Sequence, residues 1–379
     1  MRGSLAIVVT GLLLTGVLNG TATAAVGLVA PGLRQVERLD RDGLLIDPNT
    51  RIPGLVAAGT PNEQLRVRPD PDARRHVARL AADLREAHAA RAHANVALGV
   101  LLGILALLAL GMRSAYLARA SVLAAPAMLG LGLAWRSTVA LFLGALVLAL
   151  TLAVPRRFFR PLCAAVPAAA LLVLWQWPVT NALATIGPHP DGGHRFYGVT
   201  NQVETLLLPS ALIAGFAAAP LALAAIGWSK AGADGGGLLV YAAGYAMLAL
   251  RAYGRVTAKR VLIAAGIVVV LGVLLVVIDA ATGGSSHVTR SLDTGLPGDL
   301  AHRIHVSVQG ATRSVGAFVM FAVGVVVLLL LARLRPRPAT LDAMLVALAV
   351  SLVVNDTPQE VMFWGAVGSL TVLAWERTR

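Results

Sequence analysis

Cys163 is the only cysteine in this 379-residue chain, and it lies in an apolar run. That excludes an internal disulfide, a Cys-based metal site and, in this setting, a catalytic thiol. Charge is scarce too: Asp, Glu, Lys and Arg together make up 13% of residues, where soluble domains carry about 25%. Lys230 and Lys259 are the only lysines, and aromatics are 5%. No basic patch is interleaved with aromatics, so the net charge of +13 does not describe a nucleic-acid binder. There is no repeat of fixed period and no low-complexity tail.

What the chain does have is apolar length. It is 57% hydrophobic, with a mean hydropathy of +0.75. Its apolar runs are continuous, which argues for membrane helices and against the alternation of a β-barrel. The expected fold is an all-α polytopic integral membrane protein of about twelve transmembrane helices, with a small extracytoplasmic subdomain near its N-terminus.

Residues 1–25 read either as a cleaved signal peptide or as a retained first helix. Residues 26–93 are the one sizeable hydrophilic segment, with eleven Arg and nine acids in near balance. Turn signals such as Pro31-Gly32 and Asp47-Pro48-Asn49 break its first half. From Asp70-Pro71 a helix is expected that runs into the first span of the membrane domain, 94–379. Spans are expected near 94–112, 120–135, 137–154, 162–177, 237–250, 261–280, 314–332, 341–354 and 361–375. Gln202–Trp228 is apolar throughout. Read as one span, it would put the Arg251, Arg255, Lys259, Arg260 cluster outside the cytoplasm. Read as a hairpin of two short helices, with Pro209 and Pro220 as places to bend, it returns that cluster to the inner face. The hairpin is the expectation. Fifteen basic residues then lie inside, Arg2 included, and eight of the ten acids after residue 94 lie outside.

The polar outer loops hold the candidate chemistry. His194-Arg195 to Asn201, Lys230 to Gly237, Asp279 to Arg290 and Asn355 to Glu360 are expected to form one site. Glycine runs at 235–237 and 283–284 expose backbone N–H groups suited to an anion such as phosphate. Arg195, Lys230, Arg290 and Arg303 are candidates to hold that anion. His287, His305 and Asp234 are candidates for proton transfer. His194, Asn201, Asp279, Asn355 and Asp356 complete the candidate binding set. No metal-ligand spacing is present, and neither metal nor cofactor is expected.

Arg195, Gly198 and Asn201, then Ser229-Lys230, then a later loop with His287, Arg290, His302, Arg303 and His305 resemble the bacterial O-antigen ligase and polymerase-like membrane proteins. Asn201-Gln202 stands where that family has Asn-Pro-Asn, and Lys230 where it has arginine. The resemblance implies a metal-free transferase on the outer face of the cytoplasmic membrane, moving a glycan from an undecaprenyl-diphosphate carrier. It implies that Arg195, Lys230 and Arg290 or Arg303 hold the diphosphate while His287 or His305 activates the acceptor. A transporter or flippase for a polar or anionic compound is the alternative, and a non-catalytic membrane partner subunit a third. Membrane lipid and a lipid-linked glycan or other anionic substrate are the expected partners; nucleic acid is not.

Overall fold

The computed structural model describes residues 55–57, 65–67, 73–177, 183–187, 198–228, 231–254, 256–281 and 307–379, with the side chains of 73–88 and 271–281 described only in part. Strands β1 (Leu55–Ala57) and β2 (Leu65–Val67) pair antiparallel. The described elements after them are helices: α1 (Ala73–Met112), α2 (Ala115–Gly132), α3 (Thr138–Ala153), α4 (Phe159–Gln176), α5 (Asn201–Ala214), α6 (Ala219–Gly227), α7 (Gly235–Ala252), α8 (Ala258–Ala281), α9 (Val315–Ala332), α10 (Ala339–Val354) and α11 (Pro358–Thr378). α1 continues unbroken from the hydrophilic segment into an apolar one, as its sequence predicts.

Side-chain oxygens start six of these helices. Ser114, Ser137, Thr200, Asp234, Thr257 and Ser314 each accept from the backbone N–H three residues on. Each such cap satisfies a donor that the first turn would otherwise leave unmet. α11 lies at the centre, buried on all sides from Val361 to Trp375, and α5 is buried from Asn201 to Ile213. Glycines let the helices close on one another. A Cβ on Gly324 of α9 would sit 2.6 Å from the Met362 carbonyl oxygen of α11, and one on Gly368 of α11 would sit 2.9 Å from Pro209 of α5.

Among the described residues, five segments are long and apolar enough to cross a membrane: Ala89–Met112, Ala115–Gly132, Arg156–Gln176, Gly235–Ala252 and Val315–Ala332. Thr138–Ala153, Phe216–Gly227 and Ala339–Val354 are shorter apolar helices. Val139, Leu143 and Val147 on α3, Leu262, Val269 and Val270 on α8, and Phe318, Val326 and Leu329 on α9 are exposed. Apolar faces this extensive suit lipid, not water. The chain thus has the make-up of a membrane-embedded protein.

Residues 201–227 form a helical hairpin, with a bend that differs from the expected one. Pro209 lies inside α5 and Pro220 in the first turn of α6. The chain reverses at Gly215, whose φ of +78° suits glycine alone. Both roots of the hairpin return to the same end: the Val199 N–H donates to the Gly232 carbonyl at 2.7 Å, and the Asp234 N–H to the Ile226 carbonyl at 3.0 Å.

The bundle therefore has two unlike ends. At one, Arg251 and Arg337 both pair with Asp342, Arg379 pairs with Glu376, and the Arg379 guanidinium lies 4.7 Å over the Trp375 ring. Arg119 reaches the Ala153 carbonyl there at 2.8 Å, between α2 and α3. At the other end the described side chains include amides, hydroxyls and carboxylates, with Arg91, Arg136 and Arg313 beside them.

Candidate functional site

At that second end the N-termini of α5, α7 and α11 meet the C-terminus of α10. Asn201, the first residue of α5, turns its amide toward α11. Its Nδ2 donates to Asp356 Oδ1 at 3.0 Å and to Thr357 Oγ1 at 2.7 Å. Gln202 ties the same turn to α1, donating to Asn95 Oδ1 at 2.8 Å. One turn on, Glu204 is fully buried. Its Oε2 accepts from Asn355 Nδ2 at 3.1 Å, and Asn355 Nδ2 also reaches Ser351 Oγ at 2.7 Å. Tyr241 of α7 donates its hydroxyl to the Glu204 carbonyl at 2.8 Å. Ser307, in a short helical stretch over 307–312, donates to the Asn355 carbonyl at 3.1 Å.

Asp234 is 5% exposed. Its Oδ1 accepts the Gly237 N–H at 3.0 Å and so caps α7. Its Oδ2 is buried, and nothing among the described residues donates to it. Gln359, at 1% exposure, leaves both ends of its amide without a partner among those residues. The glycine run at 235–237 is what admits these groups. A Cβ on Gly237 would fall 2.9 Å from Glu204 Oε2 and 3.1 Å from Asp234 Oδ2. A Cβ on Gly236 would fall 2.6 Å from Asn355 Oδ1 and 3.3 Å from the Val354 carbonyl oxygen. Glu360, in the first turn of α11, has its carboxyl held above the usual range, chiefly by burial; Arg313 opposes that shift and Asp356 adds to it.

Four of the sequence-derived site residues thus come together: Asn201, Asp234, Asn355 and Asp356. The expected anion cradle at residues 235–237 does not form in that sense. The Gly237 N–H is occupied by Asp234, and two carboxylates flank the helix start, so an anion there would meet like charge. His194, Arg195, Lys230, His287, Arg290, Arg303 and His305 lie outside the described residues, as does the side chain of Asp279 in the last turn of α8. Among the described residues, no three His, Cys, Asp or Glu side chains gather as a metal set.

Glu204 belongs to this cluster although it was not among the expected site residues, whereas Thr357 and Gln359 lie in the Asn355 to Glu360 loop already expected to form part of the site. Glu204 had a legible signal: it is the one charge in the apolar run Gln202–Trp228, where an ionisable group is costly and therefore informative. No family model, curated protein or solved structure matches this chain.

Proposed function

We propose that this chain is a transferase of the bacterial cytoplasmic membrane, working on the outer face on a lipid-linked glycan of the undecaprenyl-diphosphate type. The observation that carries the reading is the meeting of Asn201, Asp234, Asn355 and Asp356 at the end of the bundle opposite the paired arginines. Arginine-rich ends tend to face the cytoplasm, which supports an outer position for the polar cluster. With the first helix retained, the expected count is about twelve spans with both termini inside, and residues 26–93 outside.

In this reading the carrier diphosphate is held by Arg195, Lys230 and Arg290 or Arg303, with His194 and Asp279 lining the approach. The acceptor hydroxyl loses its proton to Asp234, or to His287 or His305. The acceptor oxygen then bonds to the anomeric carbon as the bond from that carbon to the carrier phosphate breaks, and the diphosphate leaves on its lipid. Asn201, Asn355 and Asp356 orient the sugar hydroxyls. The test is release of undecaprenyl diphosphate from a lipid-linked oligosaccharide by the protein in nanodiscs, with candidate acceptors supplied. Turnover that Asp234→Asn abolishes supports the reading; no turnover with any acceptor class removes it.

The α5–α6 hairpin favours one second reading. Broken helices with buried carboxylates at their roots are the architecture of transporters. Uptake of a polar solute into proteoliposomes, without any covalent product, would decide for it.

A further inference from the structure

We infer that Arg119, Arg156, Arg157 and Arg160 bind the headgroup of an anionic phospholipid at the arginine-rich end of the bundle, where α2, α3 and α4 meet. Arg156 and Arg157 open the single 3₁₀ turn Arg156–Phe158 between α3 and α4, and Arg160 lies in the first turn of α4. All three are exposed. Arg119 of α2 reaches across to the Ala153 carbonyl at 2.8 Å and lies close enough to Arg156 for their charges to repel. From residue 94 to residue 177 the sequence contains no Asp or Glu. Among the described residues, none of the four arginines has a carboxylate partner. The rest of that end is different: Arg251 and Arg337 share Asp342, and Arg379 holds Glu376. Like charges held together without a counter-ion repel, and an anion joining them removes that cost.

The guanidiniums are set for phosphate. Arg157 lies 4.7 Å over the Phe158 ring, and Arg160 5.8 Å over the Trp375 ring, which itself packs against Phe159. A ring takes the face of a guanidinium and leaves its edge N–H groups for two-point contact with phosphate oxygens. α4 starts without a side-chain cap, so its dipole adds positive charge to the same spot. The surroundings are set for acyl chains. Leu143, Val147, Thr151 and Val154 recur at helical spacing along one side of α3, and all are exposed. With Phe158, 48% exposed, they make an apolar strip that leads to the arginines. A soluble anion has no use for that strip, whereas a phospholipid fills both parts. Basic pockets between membrane helices are the form that such lipid sites take. This site lies at the opposite end from Asp234 and does not depend on the transferase reading.

The full-length protein in nanodiscs tests this without any glycan substrate, so failure of the transferase assay and failure here are separate results. Phosphatidylglycerol replaces phosphatidylcholine stepwise at fixed ionic strength while the thermal midpoint is followed. Native mass spectrometry then identifies the lipid kept on the released protein. The expected result is a saturable rise in the midpoint together with retained phosphatidylglycerol. Both should be lost when Arg156→Gln, Arg157→Gln and Arg160→Gln are combined, and kept in Arg335→Gln, which alters the same end away from the site. No retained phosphatidylglycerol, a rise that the triple variant keeps, or a rise that Arg335→Gln loses equally, overturns the inference. An equal rise with inorganic phosphate or an acidic peptide in phosphatidylcholine discs also overturns it, and makes the site one for a soluble anion or a protein. Should the triple variant fail to fold, Arg157→Gln and Arg160→Gln decide singly, and retention unchanged in both overturns the inference.

Discussion

Asp234 caps α7 through Oδ1 while its Oδ2 is buried without a donor among the described residues, and substitutions can separate the two oxygens. Asp234→Ala removes the cap on α7 and should cost about 1 kcal/mol. Asp234→Asn keeps an oxygen for the Gly237 N–H and should leave most of that stability in place. Thermal denaturation of the two variants side by side checks the ordering. Asn201→Ala removes both donors to Asp356 and Thr357, the bonds that tie the start of α5 to the start of α11. Its expected cost is roughly 1–3 kcal/mol, again read from the thermal midpoint. Glu360 makes a prediction about pH. Its carboxyl is raised in the folded state, so the fold binds this proton more tightly than the unfolded chain does. Stability should therefore be greatest below the ordinary carboxylate range and should fall as pH climbs through the raised value. Glu360→Gln should flatten that part of the profile.

At the scale of elements, close helix contact rests on missing side chains. Gly324→Ala would drive a methyl into the backbone of α11 at Met362. Overpacking of this kind costs about 1–3 kcal/mol, and α9 should loosen from α11, which hydrogen exchange along 315–332 would report. Gly198 has φ +103°, and a Cβ there would collide with the Gly232 carbonyl oxygen. Gly198→Ala should therefore part the two roots of the α5–α6 hairpin.

Much of this scale was legible in the sequence. Apolar runs located α1 to α4 and α7 to α11 to within a few residues, because length and hydropathy alone define such helices. The hairpin was legible only through a conflict: as a single span it would have reversed the charge pattern of everything after it. Its bend was misread because proline is the more conspicuous breaker, whereas the reversal needs a positive φ, which Gly215 supplies and proline cannot adopt. Within the cluster, Asp234 and Asn355 stood out as polar residues flanked by apolar helices. Glu204 was counted for its charge but not for its contacts, since pairing with Asn355 across 151 positions has no local signature.

For the whole molecule the prediction concerns sidedness. Cys163 is fully buried, so cysteines introduced elsewhere can be labelled against a silent background. Asp356→Cys should react with an impermeant thiol reagent added outside intact cells, and Arg335→Cys only after the membrane is opened. Labelling of both from one side would remove the outer-face assignment and the transferase reading with it.

The hairpin that leaves and rejoins the bundle at one end contributes an even step to the path of the chain. Taking out 201–228 and joining α4 to α7 would leave α7 to α11 pointing as they do now, while taking out α5 alone would turn all five upside down.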